Sequence, residues 1–368
     1  MEIDFHFGVT YIVGRLAGLT HEDSQIVATS SQYVDDTVNS GALHFKTDEA
    51  FHRISCAHEL SDYHLLLPVD EREVWIPFHF LPGCDGGGDP SAEFHAKIIC
   101  RPHSEVAKQM VRMCIEKSQK DHALHRLGIT AHVFIDTWAH QGFAGINHRV
   151  NMASDITLID PKEVGAGFWH VVAHGGIKAW ISKQGRPVLV KLSSRFFPMG
   201  HGTVLHYPDH PFRKWSYKNG HGELVERDNP SDFLEAADQL CRVIRRFLSG
   251  DPDREVEGLP GKDKSLIQSK IAQLTDNNPH IRLEAWLKAV EQGDFSFGSA
   301  KPVYGKAGVG SWKYQALGTT AAKIGRFERF DYSPDFLVTN WKRFHDAAMA
   351  HQYDVLKEIL PNFGICAI

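Results

Sequence analysis

The chain has 368 residues, 42% of them hydrophobic and 23% charged, the balance of a folded protein with room for one large domain or two ordinary ones. Its formal net charge of −5 gives no bulk attraction for nucleic acid or anionic lipid. No apolar run reaches the roughly 20 residues that span a bilayer, and the six cysteines include no C-x-x-C pair, which excludes a zinc ribbon or a disulfide framework. The stretch MEIDFHFGVTYIVGRLAGL lacks the basic start and uninterrupted apolar core of a secretory signal. The expectation is a soluble cytoplasmic chain without a signal peptide, for which signal-independent secretion stays open. Histidine is the unusual component: of 23, twenty fall in residues 1–221, and histidine is the commonest metal ligand and a frequent acid or base.

Taken in chain order, Asp4 and His6 alternate with Ile3, Phe5 and Phe7, which puts both polar groups on one side of an extended entry. Residues 7–19 read as an amphipathic helix, and Thr20, followed by Glu22 and Asp23, starts a second one that runs to about Asp36. That helix ends on Asp35 and Asp36. Adjacent acids at a helix C-terminus oppose the macrodipole, so a nearby cation would account for them; a solvated acidic end is the plainer alternative. FHRISCAHELSDYH supplies His52, His58 and His64, EVWIPFHFLP at 73–82 reads as β-like or extended, and CDGGGDP as a loop.

A strongly helical stretch follows from Ser104 to about Gly142. Within it His132, Asp136 and His140 are spaced i, i+4, i+8 and stack on one helix face, while Val133, Phe134, Ile135 and Trp138 bury much of the rest. Ionisable groups aimed into an interior are costly unless they pair or hold a metal. A buried His–Asp pair is the plainer reading, but the third member and the other clusters favour a metal site. Residues 151–198 read as an insertion of mixed character, with VLVKL a candidate strand. Its His170 and His174 have ligand spacing but apolar surroundings that suit a core or lid. In FFPMGHGTVLHYPDHPF, His201 lies between glycines that permit close backbone approach to a ligand, with His206, Asp209 and His210 after it. Beyond 230, Ser231 is the expected N-cap of a helix closing on Gly250, 251–263 a polar loop, and 264–274, 279–292 and 334–360 further helices. His122, His125 and the His345–Asp346 pair read as solvated or structural. The fold class expected is mainly α. Residues 1–228 would form a metal-dependent catalytic domain with the insertion at about 151–198. Residues 229–368 would form a helical C-terminal region, separate or packed with the first as one unit.

The order of acid, histidine, Trp-Ile-Pro-Phe and then L-G-x-x-x-H-x-x-x-D resembles the bacterial zinc-dependent phospholipases C and the related single-strand-specific zinc nucleases. The resemblance covers residues 1–145 loosely and 132–140 well, and implies a multi-helix phospholipase C-like core with short β or extended segments and a helical C-terminal extension. It implies His132 and Asp136 as metal ligands with Asp136 bridging two zinc ions, His58 and His6 as further ligands, and Asp35 or Asp36 as ligand and catalytic base. Family members also bind zinc through the free amine and carbonyl of a processed N-terminal tryptophan. This chain has Met1, and Asp4 is expected to stand in. The family's next histidine comes six residues after the bridging aspartate, whereas His140 comes after four, and the family's last His and acid have no direct counterpart; His201 with Asp209 is the expected substitute, completing a site begun by His140.

Nitrogen and oxygen donors without cysteine suit zinc at a catalytic site, and two or three ions are expected. They would lower the pKa of an attacking water and neutralise phosphate oxygens during in-line attack. The expected activity is that of a phospholipase C: cleavage of glycerophospholipids such as phosphatidylcholine to diacylglycerol and a phosphorylated head group, with transient contact to a membrane surface and no stable nucleic-acid partner. A zinc nuclease or other phosphodiesterase is the alternative with the same metal core, although RVIRR at 242–246, the only compact basic run, reads as a solvated helix face. A non-enzymatic metal- or lipid-binding module is the alternative from another class.

Overall fold

Local capping chemistry sets most helix ends in the computed structural model, which describes residues 1–58, 71–84, 94–159, 199–325 and 327–366. A π-helical turn, Asp4–Val9, runs straight into α1 (Thr10–Ala17), which stops at Gly18 with φ 112°. Thr20 accepts a hydrogen bond from the Asp23 amide to start α2 (His21–Asp36), and Ser104 does the same from Ala107 for α3 (Glu105–Glu116). The histidine-bearing helix is α4 (Ala123–Ala139). Then come α5 (Asn229–Ser249), α6 (Gly261–Gln273), α7 (Pro279–Gln292) and α8 (Asn340–Tyr353). The N-cap of α5 is Asp228 rather than Ser231: the Asp228 side chain accepts from the Ser231 amide at 3.3 Å, and Gly250 closes the helix with φ 71°.

Two departures from expectation bear on the fold. The segment at 73–82 is helical, not extended: a π turn at Glu71–Trp75 passes into a short helix at Ile76–Phe78, with Pro77 in the first turn, where its fixed φ is tolerated. The mainly α class is also corrected. The chain is 54% helical and 10% strand, a mixed α/β fold with two small sheets. In the first, β1 (Gly41–Phe45) pairs antiparallel with β2 (Ala50–Arg53) and parallel with β6 (Arg329–Phe330), so that His44 stands opposite Arg329. In the second, β4 (Lys214–Lys218) lies between β3 (Ser154–Leu158) and β5 (Leu224–Asp228), antiparallel to both. Trp215 and Tyr217 of β4 fill a small core with Phe80, Phe143, Val204 and Tyr207. VLVKL, His64, His170 and His174 lie outside the described residues.

The main core mixes both halves of the sequence: Phe5, Trp138, Phe233, Trp286 and Ile359 all belong to one buried apolar cluster. Two contacts place the histidine helix within it. At Gly128 of α4 a Cβ would stand 2.4 Å from both Ser30 Cβ and the Val27 carbonyl oxygen, so only glycine lets α2 approach this closely and bring its acidic end to the histidines. At the other end, Arg227 of β5 donates to the carbonyls of Trp138 (2.9 Å) and Ala139 (3.1 Å), closing the C-terminal end of α4 with a positive charge, where the helix dipole favours one.

His345 and His351 of α8 are core residues. His345 on α8 accepts from the Ile54 amide at 3.4 Å, and burial, followed by nearby Arg53, lowers its pKa to about 3. Because this folded pKa lies below the unfolded value of 6.5, the stability in question is fully present above pH 6.5 and is lost as pH falls toward 3. The slope approaches about 1.4 kcal/mol per pH unit below pH 6. Denaturant titrations between pH 7 and 4 are expected to show a shallower acid loss for His345→Phe than for the wild type, whatever the variant costs at neutral pH. Parallel pH profiles for the two proteins would contradict this.

Candidate metal centre

Four elements deliver side chains to one buried point: the π turn (His6), the end of α2 (Asp35), the turn after Trp75 (His79) and α4 (His132, Asp136 and His140), with His201 and Asp209 from the segment between β3 and β4. Among the described residues the donor atoms form three groups within 4.8 Å: His6, Asp35 and His132; His79, His132 and Asp136; and His140, His201 and Asp209. His132, Asp136 and His140 do share one face of α4, as their spacing requires. The pairing of His201 with Asp209 beside His140 also stands, with His201 Nε2 3.4 Å and His140 Nε2 3.3 Å from the Asp209 carboxylate.

Protonation is set by backbone carbonyls, which only accept. His132 Nδ1 lies 2.8 Å from Ser31 O, His140 Nδ1 2.7 Å from His79 O, His79 Nε2 2.8 Å from Cys56 O and His201 Nδ1 2.7 Å from Leu205 O. Each of these nitrogens donates, and the other nitrogen of each ring turns toward the centre. Leu205 holds its carbonyl in place at φ 54°, a left-handed conformation that a leucine adopts only where the surroundings enforce it. The inward nitrogens then face acceptors. His132 Nε2 stands 3.3 Å from His79 Nδ1 and 3.2 Å from Asp136 Oδ2, and Asp35 Oδ1 lies 3.8 and 3.9 Å from the same two nitrogens. His6 stacks on His132 with ring centroids 3.8 Å apart, its Nε2 3.2 Å from Asp136 Oδ1, and neither of its ring nitrogens makes a hydrogen bond among the described residues. A pocket where ring nitrogens and carboxylates converge favours positive charge, and imidazole held by a carbonyl on its far side is the arrangement metal-binding histidines use. The residues fit a metal ion.

The titration of the groups agrees. Burial lowers His6 and His201 to about 4, against the pull of Asp136 on the first and Asp209 on the second, so both are neutral at pH 7. Burial opposes the charge on Asp136, yet His140, the Met1 amino group, His132 and His6 hold its carboxyl well below the usual range. Asp35 is driven the other way: burial, and then repulsion from Asp136, Asp36 and Asp209, push it well above, although about a third of its side chain meets solvent.

Three expected ligands lie elsewhere. Asp4 does not stand in for a terminal ligand: its carboxylate is taken by Arg282 at 2.7 and 3.0 Å, because the π turn directs it to the opposite side from His6. The amino group of Met1 instead lies 2.7 Å from Asp136 Oδ1 and 3.2 Å from Asp209 Oδ1; burial would lower its pKa, but these carboxylates raise it to about 11. Asp36 faces away from Asp35, as consecutive residues of a helix must, and binds Lys306 Nζ at 2.8 Å and the Tyr304 hydroxyl. His58 rests against Trp75, ring centroids 6.3 Å apart, and belongs to none of the three groups. His79 occupies the place expected of it. The signal was a histidine between Phe78 and Phe80, a polar ring that an apolar run buries in any backbone conformation. His351 of α8 fastens that turn by donating to Pro77 O at 2.9 Å.

The chain belongs to the DUF6765 family, a family of unknown function whose profile matches residues 1–359. No curated protein and no solved structure matches it.

Asp136 touches all three groups, so Asp136→Asn is expected to remove more than one metal equivalent from protein saturated with zinc and then desalted. Elemental analysis showing full occupancy would exclude a bridging role. The two histidines around Trp75 separate in the same assay: His79→Ala is expected to lower metal affinity about 10- to 100-fold, a loss typical of disturbed metal shells, and His58→Ala to leave it within a factor of two or so of the wild type. Equal losses would put His58 back among the ligands.

Proposed function

We propose that this family member is a zinc-dependent phosphodiester hydrolase of the phospholipase C type, holding two or three zinc ions and cleaving glycerophospholipids such as phosphatidylcholine to diacylglycerol and a phosphorylated head group. The observation that carries the reading is the convergence of ring nitrogens and carboxylates around Asp136, with His132 Nε2 and His79 Nδ1 facing each other at 3.3 Å. Three donor groups without sulfur, two of them sharing His132 and the third separate, suit several ions rather than one. When bound, zinc supplies Lewis acidity toward phosphate oxygens and a lowered pKa for the attacking water.

The chain's own residues have separable tasks. Asp35 is the partly exposed carboxylate of the cluster, a place from which a carboxylate could take the proton of an attacking water. His140 and His201 flank Asp209 in the third donor group. Near the acid pair, Val303 and Val309 are 67% and 79% exposed on the loop that carries Tyr304 and Lys306, an apolar rim for transient contact with a lipid surface. No helix among the described residues is long and apolar enough to cross a membrane. The basic run at 242–246 is engaged internally: Arg242, Arg245 and Arg246 donate to the carbonyls of Val256, Glu257 and Arg254, which leaves little of a groove for a nucleic-acid backbone.

Zinc-loaded protein is expected to release phosphocholine from phosphatidylcholine vesicles, to lose that activity on chelation and to regain it with zinc, while His201→Ala and Asp209→Ala keep a wild-type circular dichroism spectrum and lose at least 100-fold in rate, on the order of a missing catalytic group. Cleavage of single-stranded DNA with inert vesicles would replace the lipid assignment by the nuclease. Metal binding with neither activity would leave a binding module.

A further inference from the structure

His6 differs from the other candidate ligands in how it is held. His79, His132, His140 and His201 are each fixed by a ring nitrogen donating to a carbonyl, whereas neither nitrogen of His6 makes a hydrogen bond among the described residues. Its position therefore depends on where the backbone of the first residues is placed. The Glu2 and Asp4 side chains of that segment are gripped by Arg282 on α7, 276 positions further along the chain than His6.

Arg282 is fully buried. Its Nε donates to Asp4 Oδ2 at 2.7 Å and its Nη2 to Asp4 Oδ1 at 3.0 Å; Nη2 also binds the Glu2 carboxylate, and Nη1 donates to the Asp276 carbonyl. The guanidinium lies 5.5 Å from the Phe212 ring centroid, and Glu2 is 3.8 Å from His210, the residue after Asp209. One planar group thus ties together the segment leading to His6 and the segment following Asp209. The helix beneath fits closely: a Cβ on Gly8 would stand 3.1 Å from Leu283 and 3.5 Å from Trp286. A buried ion pair adds little net stability over an apolar replacement, because desolvation offsets the attraction. What the fork supplies is a fixed direction and distance.

We propose that Arg282 is a positioning residue of the metal centre, acting through Glu2 and Asp4 to hold His6 against Asp136. The proposal rests on reading the His/Asp cluster as a metal centre. The test compares wild type, Arg282→Met and Arg282→Lys by thermal melting and by cobalt(II) and zinc titration, with metal content from elemental analysis and the cobalt visible spectrum as signature. Arg282→Met leaves Asp4 buried without its partner and is expected to melt at a lower temperature, but while folded to lose the metal equivalent bound by His6, Asp35 and His132 with affinity down 10- to 100-fold, and to retain the one at His140, His201 and Asp209. Arg282→Lys, which keeps the charge without the fork, is expected to recover part of the loss. If the methionine variant does not fold, the lysine variant is read alone for the same selective loss. Wild-type stoichiometry and affinity in the variants would overturn the proposal while leaving the metal centre intact. Loss of both equivalents in step with a lowered melting temperature would also overturn it, since the arginine would then serve only the fold. A wild-type protein that takes up neither metal would overturn both.

Discussion

A carboxylate that is 1% exposed cannot stand alone, and the fold around Asp136 is arranged to meet that condition. Neutralising one buried charge draws in groups from distant parts of the chain: the Met1 amino group at 2.7 Å and the rings of His6 and His132, each at 3.2 Å. Asp35 and Asp209 add further negative charge close by. Their mutual repulsion makes the cluster unfavourable unless positive charge sits between them, so the same side chains that would destabilise an empty core become ligands once a cation is present. The tight crossing at Gly128 and the charge of Arg227 at the end of α4 follow from this need. Both keep a helix carrying three ionisable side chains in one register within an apolar interior.

Parts of this were legible in the sequence and parts were not, for identifiable reasons. The face shared by His132, Asp136 and His140 is fixed by helical geometry alone. His201 and Asp209 were legible from their chemistry, a histidine between glycines and an acid between prolines, although nothing local says what they meet. The adjacent acids at the end of α2 were legible as a pair wanting cations, but their division was not: Asp36 finds Lys306 and Asp35 finds the histidines, and both partners are remote in sequence. Asp4 was misplaced because an extended entry puts it on the same side as His6, whereas the π turn separates them. His79 was overlooked because WIPFHF reads as a strand by composition and is made helical by Pro77 and its packing. The sheets escaped because their strands are short, and one pairing joins His44 to Arg329 across most of the chain.

Depressed histidine basicity does not by itself mark a site here. His125 and His345 are lowered to about 3, further than His6 or His201 at about 4, and in each case burial is the largest cause. What separates the two classes is the partner of the inward nitrogen. His345 accepts from a backbone amide, and His125 Nε2 faces the side chain of Asn340, an amide that can donate as well as accept. At the centre, His132 Nε2 faces His79 Nδ1 and the Asp136 carboxylate, and His140 and His201 both turn ring nitrogens on Asp209, with the Met1 amino group donating to Asp136 and lying 3.2 Å from Asp209. Complementary donors and acceptors make a core histidine self-sufficient. Ring nitrogens and three carboxylates gathered together leave a demand for positive charge that the single Met1 amino group meets only in part, and that demand, more than the number of histidines or the size of any shift, is the physical basis for proposing a metal centre at Asp136.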